Sequence, residues 1–498
     1  QYRVAAVIGD GAFTNGMVYE ALNDAGRMFS SVVFILNDNG MSISRNVGGI
    51  SKYLGKIRTG KSYIRIKKNV KRIIGKIPLI GNFLVRKIQL LKAAFRLLAI
   101  PGEWFEALGV KYIGPVDGHN IPEIEKALNK AFYMNCPVLL HVITKKGHGY
   151  ANAEANPSFY HGVSARSDQA GKGQSYSAVM AEELSLLAEQ DPDIVAVTAA
   201  MPSGTGLESF GKRYPGRFFD VGIAEEHAVT MAAGMAAAGI KPYVAIYSTF
   251  MQRAYDQLLH DCALQKLRVV IVLDRAGISG RDGRTHHGVY DIAYLNSIPN
   301  LSVCAPCCAE ELREMLRISA GSFPAGPFVI RYPAQDRFSG DLQAVLRNPV
   351  IYGKGAVLFE TQENTAQANV LIVSLGQITD QCIRAAQLVR KQCNVTIFHA
   401  RFLKPLDEAG ILKCIADRKP DAIYSAEDGV TDAGFGSRIA MLLESQGIAL
   451  HFEAIGVPAE PLDHGSVAEL YQKAGMDPEG IAARILRGTE LLRKEQRV

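Results

Sequence analysis

Short, unbroken runs of apolar residues recur along the chain, each separated from the next by a stretch with helical spacing. The runs are 3-RVAAVI-8, 32-VVFILN-37, 138-VLLHVIT-144, 194-IVAVTA-199, 243-YVAIYS-248, 269-VVIVLD-274, 370-VLIVSL-375 and 395-VTIFHA-400. Continuous runs of this length suit parallel strands covered on both faces, because half-exposed strands alternate apolar and polar positions. Helical patterns lie between them, from Asn15 to Ala25 and again over 176-YSAVMAEELSLLAEQ-190. The class they predict is α/β, with several doubly wound parallel sheets. The segment 228-AVTMAAGMAAAGI-240 is apolar but rich in Ala and Gly, which predicts a buried, closely packed helix. No apolar run reaches the length of a membrane span.

Two breaks interrupt this alternation. Residues 165-ARSDQAGKGQS-175 are polar and contain glycine, and 333-PAQDRFSGDLQAVLRNP-349 is a second such stretch. They predict three blocks, 1–172, 173–335 and 336–498. A chain of 498 residues is too long for one core and agrees with about three domains. The region 45–100 is crowded with Lys and Arg, and no acidic residue occurs from Gly40 to Gly102. Its second half, 79-LIGNFLVRKIQLLKAAFRLLAI-100, is amphipathic and basic. Such a segment can bind an anionic surface, but the plainer expectation is an exposed insertion between two sheet elements. The first residue is Gln1 and a strand follows at once, so the first domain is expected to be incomplete at its N-terminus.

Composition narrows the function classes only slightly. Hydrophobic content of 48% and charged content of 21% are those of an ordinary soluble protein. A net charge of +6 is small for this length; it fits anionic small substrates and does not argue for nucleic acid or a membrane. The eight cysteines are scattered, with one cluster at Cys304, Cys307 and Cys308. No second ligand pair at zinc-site spacing accompanies it, so buried thiols in a reducing cytoplasm are expected.

Chemistry enters at the strand ends. The strand ending at Ile8 runs into 9-GDGAFTNG-16, and the next strand runs into 37-NDNGMS-42. A glycine turn between strand and helix lets a ligand approach the backbone and the free N–H groups of the helix start. Asp10 and Asn39 are one strand-helix-strand unit apart, which puts both at the carboxyl ends of neighbouring strands, where open α/β sheets bind ligands. A carboxylate, an amide oxygen, a backbone carbonyl and diphosphate oxygens together suit Mg2+, which prefers hard oxygen ligands. The plain alternative is a turn Asp and a capping Asn. In the second block, 219-FDVGIAEEHAVTMAAG-234 reads as a strand end, a turn and a helix. Glu225 falls at the helix N-terminus, where the dipole favours a carboxylate. Successive helical side chains point about 100° apart, so Glu225 and Glu226 cannot share one pocket.

GDG followed by an Asn-rich turn at this spacing resembles the thiamine-diphosphate fingerprint, and the stretch around Glu225 resembles the glutamate motif of the same enzymes. Further stretches, 247-YSTFMQRAYDQLLHD-261, 274-DRAGISGRDGRTHHG-288, 330-IRYPAQ-335, 112-YIGPVDGH-119, 144-TKKGHGY-150 and 401-RFLKPLD-407, are similar to one family within them, the 1-deoxy-D-xylulose-5-phosphate synthases. The resemblance runs through almost the whole chain and implies three transketolase-like domains. The first would bind metal and diphosphate, the second would bind pyrimidine, and the third would support a homodimer. It implies that Asp10, Asn39 and the carbonyl of Met41 hold Mg2+, that Gly11 and Ala12 face the diphosphate of thiamine diphosphate, and that Lys146 and Tyr150 lie near it. Lys146 has a plain alternative as a solvated loop charge. Glu225 would bond the aminopyrimidine, whose imino tautomer then serves as base, and Phe250 would pack on that ring. Arg253, Arg331 and Tyr247 would take the phosphate of glyceraldehyde 3-phosphate, a task for which guanidinium groups are well shaped. Asp282 and His286 would contact the substrates.

The implied reaction takes carbon dioxide from pyruvate and joins the two-carbon unit to D-glyceraldehyde 3-phosphate. Its product would feed isoprenoid, thiamine and pyridoxal phosphate routes in the cytoplasm. Transketolase or the E1 component of pyruvate dehydrogenase is the rival within the superfamily, and the 274–288 stretch with Arg331 separates them. A non-catalytic remnant is the rival of another class. Two positions depart from the family pattern: Gly40 stands where relatives often carry Glu, and Glu226 where many carry Gln.

Overall fold

A computed structural model describes residues 2–28, 31–42, 45–59, 102–162, 175–321, 323–361 and 368–495. Most of the basic 45–100 segment and the break at 165–175 lie outside them. The chain divides into two compact units, Gln1–Gln169 with Val221–Ala224, and Ala170–Asp220 with Glu225–Val498.

The first unit carries one parallel sheet of β1 (Val4–Gly9), β2 (Val32–Asp38), β3 (Lys111–Asp117) and β4 (Val138–Ile143), in the order β1-β2-β4-β3. Alternate side chains of its strands feed two different cores. Phe34, Leu36 and Leu139 pack with Phe13, Leu22, Leu54 and Phe105 on one face. Val33, Val138, Leu140 and Val142 pack with Val116, Ala127 and Ala131 on the other. This is why the runs read as continuously apolar: both faces are covered, and each fully buried Val, Leu or Phe contributes roughly 1.5–3 kcal/mol. β1 is the outermost of the four described strands, and Val4 and Val7 are 56% and 71% exposed.

The second unit carries two sheets. One comprises β5 (Ile194–Thr198), β6 (Phe218–Asp220), β7 (Lys241–Tyr247), β8 (Val270–Asp274), β9 (Ser302–Cys304) and β10 (Phe328–Arg331). The other comprises β11 (Ala356–Glu360), β12 (Asn369–Leu375), β13 (Asn394–His399), β15 (Ala422–Val430) and β16 (His451–Val457), with β11 antiparallel at one edge. The short strand β14 (Phe402–Lys404), from the third block of the sequence, pairs antiparallel with β9 and closes the edge of the first of these sheets. The Ala-rich helix forms at Glu225–Ala237, with Ala228, Val229, Ala232 and Ala233 buried.

The cysteine cluster is buried, and Cys307 lies with Glu311 and His399, their ligand atoms within 4.8 Å of one another. The Glu311 carboxylate is already occupied. It accepts from Nε of Arg401 (2.7 Å) and from the N–H of Cys307 (2.9 Å), and it lies 3.1 Å from Nε2 of His399. Burial alone would push Glu311 up, but His399 and Arg401 outweigh it and hold the carboxyl well below the usual range. A group depressed in this way adds stability that is fully present above its ordinary value of 4.5 and is lost as pH falls below that value. Glu311→Gln is therefore expected to cost about 3–5 kcal/mol at pH 7, because it strands buried positive charge. The gap between parent and variant in urea midpoints should close as the pH is taken from 7 towards 3. A gap that stays constant over that range would show that the ion pair is not its source.

Candidate functional site

In the first unit the strand ends build an acidic, hydrogen-bonded cradle. Asp10 follows β1 and is 3% exposed. Its Oδ2 accepts from the N–H of Gly40 at 2.6 Å, which fastens it to the turn after β2. In that turn Asn39 Oδ1 accepts from the N–H of Met41 (3.0 Å). A Cβ on Gly11 would stand 2.8 Å from Cβ of Ser42, so glycine lets the two turns close on each other. Lys146, after β4, donates to the carbonyl of Ser42, and its Nζ lies 2.9 Å from Nδ1 of His161. Burial lowers the Lys146 ammonium. The structure thus gathers Asp10, Gly11, Asn39, Met41 and Lys146 around three strand ends. Tyr150 stands apart; it is 53% exposed and meets Tyr160 edge to face. His161 was missed because a lone His in 160-YHG-162 carries no spacing signal.

Behind this cradle lies a support that the sequence did not reveal. Asp38 Oδ2 is 3.0 Å from Nε2 of buried His141, whose Nδ1 is 2.8 Å from the Tyr112 hydroxyl. Asp38 Oδ1 accepts from Nη1 of Arg58 at 2.7 Å. Burial works against ionisation of Asp38, but His141 and Arg58 outweigh it and bring the carboxyl below its usual range. Asp10 is pushed up to about 7, chiefly by burial and then by Asp38, which outweigh the N–H of Gly40 and the more distant charge of Arg58. Gly40 explains the departure in the turn: its φ is 81°, and a Cβ there would stand 2.3 Å from Nη1 of Arg58. A buried carboxylate, with an amide and a carbonyl on the neighbouring turn, is a hard-oxygen donor set of the kind that Mg2+ fits.

In the second unit Glu225 is the first residue of its helix and is 2% exposed. Burial raises its carboxyl, opposed by Arg253, whose Nη1 donates to Oε2 at 3.3 Å. Phe250 stacks on Tyr247 (centroids 5.8 Å apart) and meets His286 edge to face (5.5 Å). Tyr247 ends β7, and burial pushes its hydroxyl up to about 12. A Cβ on Gly204 would stand 1.9 Å from that hydroxyl, so the position admits only glycine. Arg275, at the end of β8 with φ 55°, lays its guanidinium over the Tyr247 ring at 4.1 Å. It too was missed, since it sits inside a motif read for its aspartate and histidine. Asp282 is exposed just before the turn Gly283–Thr285, and His286 follows that turn.

Arg331 requires a correction. The resemblance makes it a phosphate ligand, but here it is 2% exposed, with Nε on Asp291 Oδ2 at 2.8 Å and Nη1 on Asp428 Oδ1 at 2.5 Å. Its charge is spent on two buried carboxylates. Only Nη2 lacks a partner among the described residues.

The raised carboxyl of Asp10 gives a pH prediction. Its contribution to stability is fully present below its ordinary value of 3.8 and is lost as pH rises through about 7. Metal-free Asp10→Asn should therefore be more stable than the parent, with the gap widening from pH 4 to about 7 and flat above. Added Mg2+ should raise the Tm of the parent and leave the variant unmoved. A parent without a Mg2+-dependent Tm would remove Asp10 as a metal ligand.

Comparison with known proteins bears on all three sheets. The family model for 1-deoxy-D-xylulose-5-phosphate synthase matches residues 1–144, that for the pyrimidine binding domain of transketolase 172–337, and that for the transketolase C-terminal domain 360–481. Among solved structures, a split gene transketolase described as an inactive beta4 tetramer is similar at TM-score 0.54 and 26% identity, covering 64% of this chain and 98% of that one. A transketolase from Campylobacter jejuni shares the fold at TM-score 0.50 and 17% identity, over 98% of this chain and 77% of that one. The chain is 44% identical over 493 residues to the 1-deoxy-D-xylulose-5-phosphate synthase of Caldanaerobacter subterraneus, covering 98% of this chain and 77% of that protein. It is 42% identical to the synthase of Alkaliphilus oremlandii, over 97% of this chain and 77% of that protein. With such identity over nearly its whole length, and with the family's own model on its first sheet, the chain belongs to the 1-deoxy-D-xylulose-5-phosphate synthases.

Proposed function

We propose that the protein decarboxylates pyruvate and joins the remaining two-carbon unit to D-glyceraldehyde 3-phosphate. The products are 1-deoxy-D-xylulose 5-phosphate and carbon dioxide, and the cofactors are thiamine diphosphate and Mg2+. The observation that carries this reading is Glu225: a carboxylate buried at a helix N-terminus, beside Arg253 and close in sequence to the motif of Phe250 and Tyr247. Thiamine diphosphate supplies a carbon nucleophile and an electron sink for decarboxylation. Asp10, Asn39 and the carbonyl of Met41 hold the metal, and the backbone at Gly11 and Ala12 takes the diphosphate. Lys146 completes that end, while Tyr150, which the resemblance also puts near the cofactor, stands exposed beside Tyr160. Glu225 binds the aminopyrimidine and holds a proton at its ring nitrogen, and Phe250 offers a flat apolar face to the ring. Raising the Glu225 carboxyl by burial suits this task, since a group that shares a proton works best near the operating pH.

Arg253 and Arg275 bind the phosphate of the aldehyde with Tyr247. Arg253 keeps half its side chain exposed, and Arg275 lies on Tyr247. Arg331 acts through Asp291 and Asp428 instead of as a free cation. Asp282 and His286 meet the acceptor. The three blocks 1–172, 173–335 and 336–498 then serve as diphosphate, pyrimidine and C-terminal domains. A homodimer in the cytoplasm accompanies the proposal, as the resemblance implies. No helix among the described residues is long and apolar enough to cross a membrane.

Two variants test the reading. Glu225→Gln keeps the size and removes the charge, so deuterium exchange at the thiazolium carbon should slow by about 10²–10⁴-fold while the cofactor still binds. Glu226→Gln should change exchange little, because its side chain points away from that of Glu225. Slowing in Glu226→Gln alone would show the register wrong by one residue. Arg253→Ala should raise the KM for glyceraldehyde 3-phosphate far more than the KM for pyruvate, and an equal rise in both would count against the phosphate assignment.

A further inference from the structure

The loop after β8 carries the two residues assigned to the acceptor substrate, and it is closed at its base. Gly277 N–H donates to the carbonyl of Gly288 and Gly288 N–H to that of Gly277, both at 2.8 Å. Between these two residues the chain forms an Ω-type loop with few backbone bonds of its own. Gly283 N–H reaches Gly280 O (3.2 Å), and the N–H groups of His286 and His287 both reach Gly283 O, at 2.9 and 3.2 Å. A loop so short of internal partners takes its geometry from what it rests on.

It rests on the segment that follows β16. His287 is 4% exposed. Its Nδ1 accepts from the N–H of Ser279 at 3.2 Å, so the ring carries its proton on Nε2, which donates to the carbonyl of Asp463 at 3.0 Å. Arg284 donates from Nε and Nη2 to Asp463 Oδ1, at 2.9 and 2.6 Å. The loop glycines press on the same segment. A Cβ on Gly283 (φ 72°) would stand 3.3 Å from Cβ of His464, and one on Gly280 (φ 86°) 3.2 Å from the carbonyl of Gly465. His287 points into this contact while its neighbour His286 meets the ring of Phe250.

We propose that Asp463–Gly465 is a latch on which His287 and Arg284 act as positioning residues, holding Asp282 and His286 in place for the aldehyde acceptor. The exposed Arg284 pair is the weaker half, because solvent screens it. The buried His287 bridge, which ties Ser279 on one side and Asp463 on the other, is the stronger. The third domain thereby becomes part of acceptor recognition. The proposal rests on the reading of Asp282 and His286 given above.

The test is a split between the two substrates. His287→Leu removes the ring's bonds to Ser279 and to Asp463, and Arg284→Ala removes the surface pair without touching the core. His287→Leu is expected to raise the KM for glyceraldehyde 3-phosphate by about ten- to a hundredfold, the range in which a misplacement of about an ångström acts, and to leave the KM for pyruvate within about twofold. Amide exchange over residues 279–288 should quicken in parallel. His287→Gln is expected to restore both readouts, because an amide oxygen and amide nitrogen can accept from Ser279 and donate to Asp463 as the ring does. Arg284→Ala should move the acceptor KM in the same direction by a few-fold, and it stands in if His287→Leu fails to fold. Faster loop exchange with an unchanged acceptor KM would overturn the latch, as would an equal rise in both KM values or a failure of His287→Gln to rescue. Asp282→Ala and His286→Ala separate the two levels. If these raise the acceptor KM and the latch variants do not, only the latch falls; if they leave it unchanged, the assignment beneath the latch falls with it.

Discussion

Every strand of a parallel sheet ends at the same edge, because each crossover must carry the chain back to start again from the other end. Most of the candidate chemistry in this protein hangs from that constraint. Asp10, Asn39 and Lys146 follow β1, β2 and β4; Tyr247 and Arg331 end β7 and β10, and Arg275 follows β8. Most of these positions follow strands whose side chains are buried on both faces, and Asp10 is fastened to the turn after the well-buried β2, so the ends can carry unfavourable groups without unravelling. Asp10 is the clearest case. A carboxyl pushed up to about 7 costs stability wherever it is ionised, and a firmly seated turn holds it there.

Buried charge is the second recurring device, and the three clusters are built differently. Glu311 has two cations and is strongly favoured as a carboxylate. Asp38 has Arg58 and His141, and through Gly40 N–H, which reaches both Asp10 (2.6 Å) and Asp38 (3.2 Å), it shares a donor with the candidate metal ligand. Arg331 inverts the pattern, with one cation between Asp291 and Asp428. Such clusters repay their desolvation only in good geometry, and each loses much more when one partner is removed than it gains in forming. They therefore hold the strand ends in register more than they add net stability.

What could be read from the sequence divides along the same lines. Long central strands announced themselves as apolar runs, and the helix over Tyr176–Gln190 fell where its periodicity placed it. Glu225 was legible because a helix start, an acid and an Ala-rich face coincide within a few residues. The three-residue strands β9 and β14 were not, since so few positions show no period. Side-chain partnership was the hardest to see. Arg331 carries the right residue type for a phosphate, and its two aspartates lie far away in sequence, one of them in a different sheet. Arg58 lies on a helix where a surface lysine would read the same, and only the space above Gly40 shows what it does.

The third domain gains most from being seen in place. Its sequence resemblance suggests dimer support and little chemistry, yet Asp428 and Asp463 both lie against the loop that carries Asp282 and His286. A Cβ on Gly277 would stand 2.6 Å from Oδ2 of Asp428, while the far end of the same loop is bound to Asp463. The base of the loop, the strand end at Arg331 and the tip that presents Asp282 and His286 are thus all measured from one sheet. A loop with few bonds of its own cannot store a precise shape, and a fraction of an ångström decides whether an acceptor aldehyde is held for attack. Fastening the loop to the segment that follows β16 supplies that precision from outside the sheet of β5 to β10. On the proposal above, the groups that meet the acceptor are placed by residues of the segment after β16 as well as by Phe250 and Thr249 beside them.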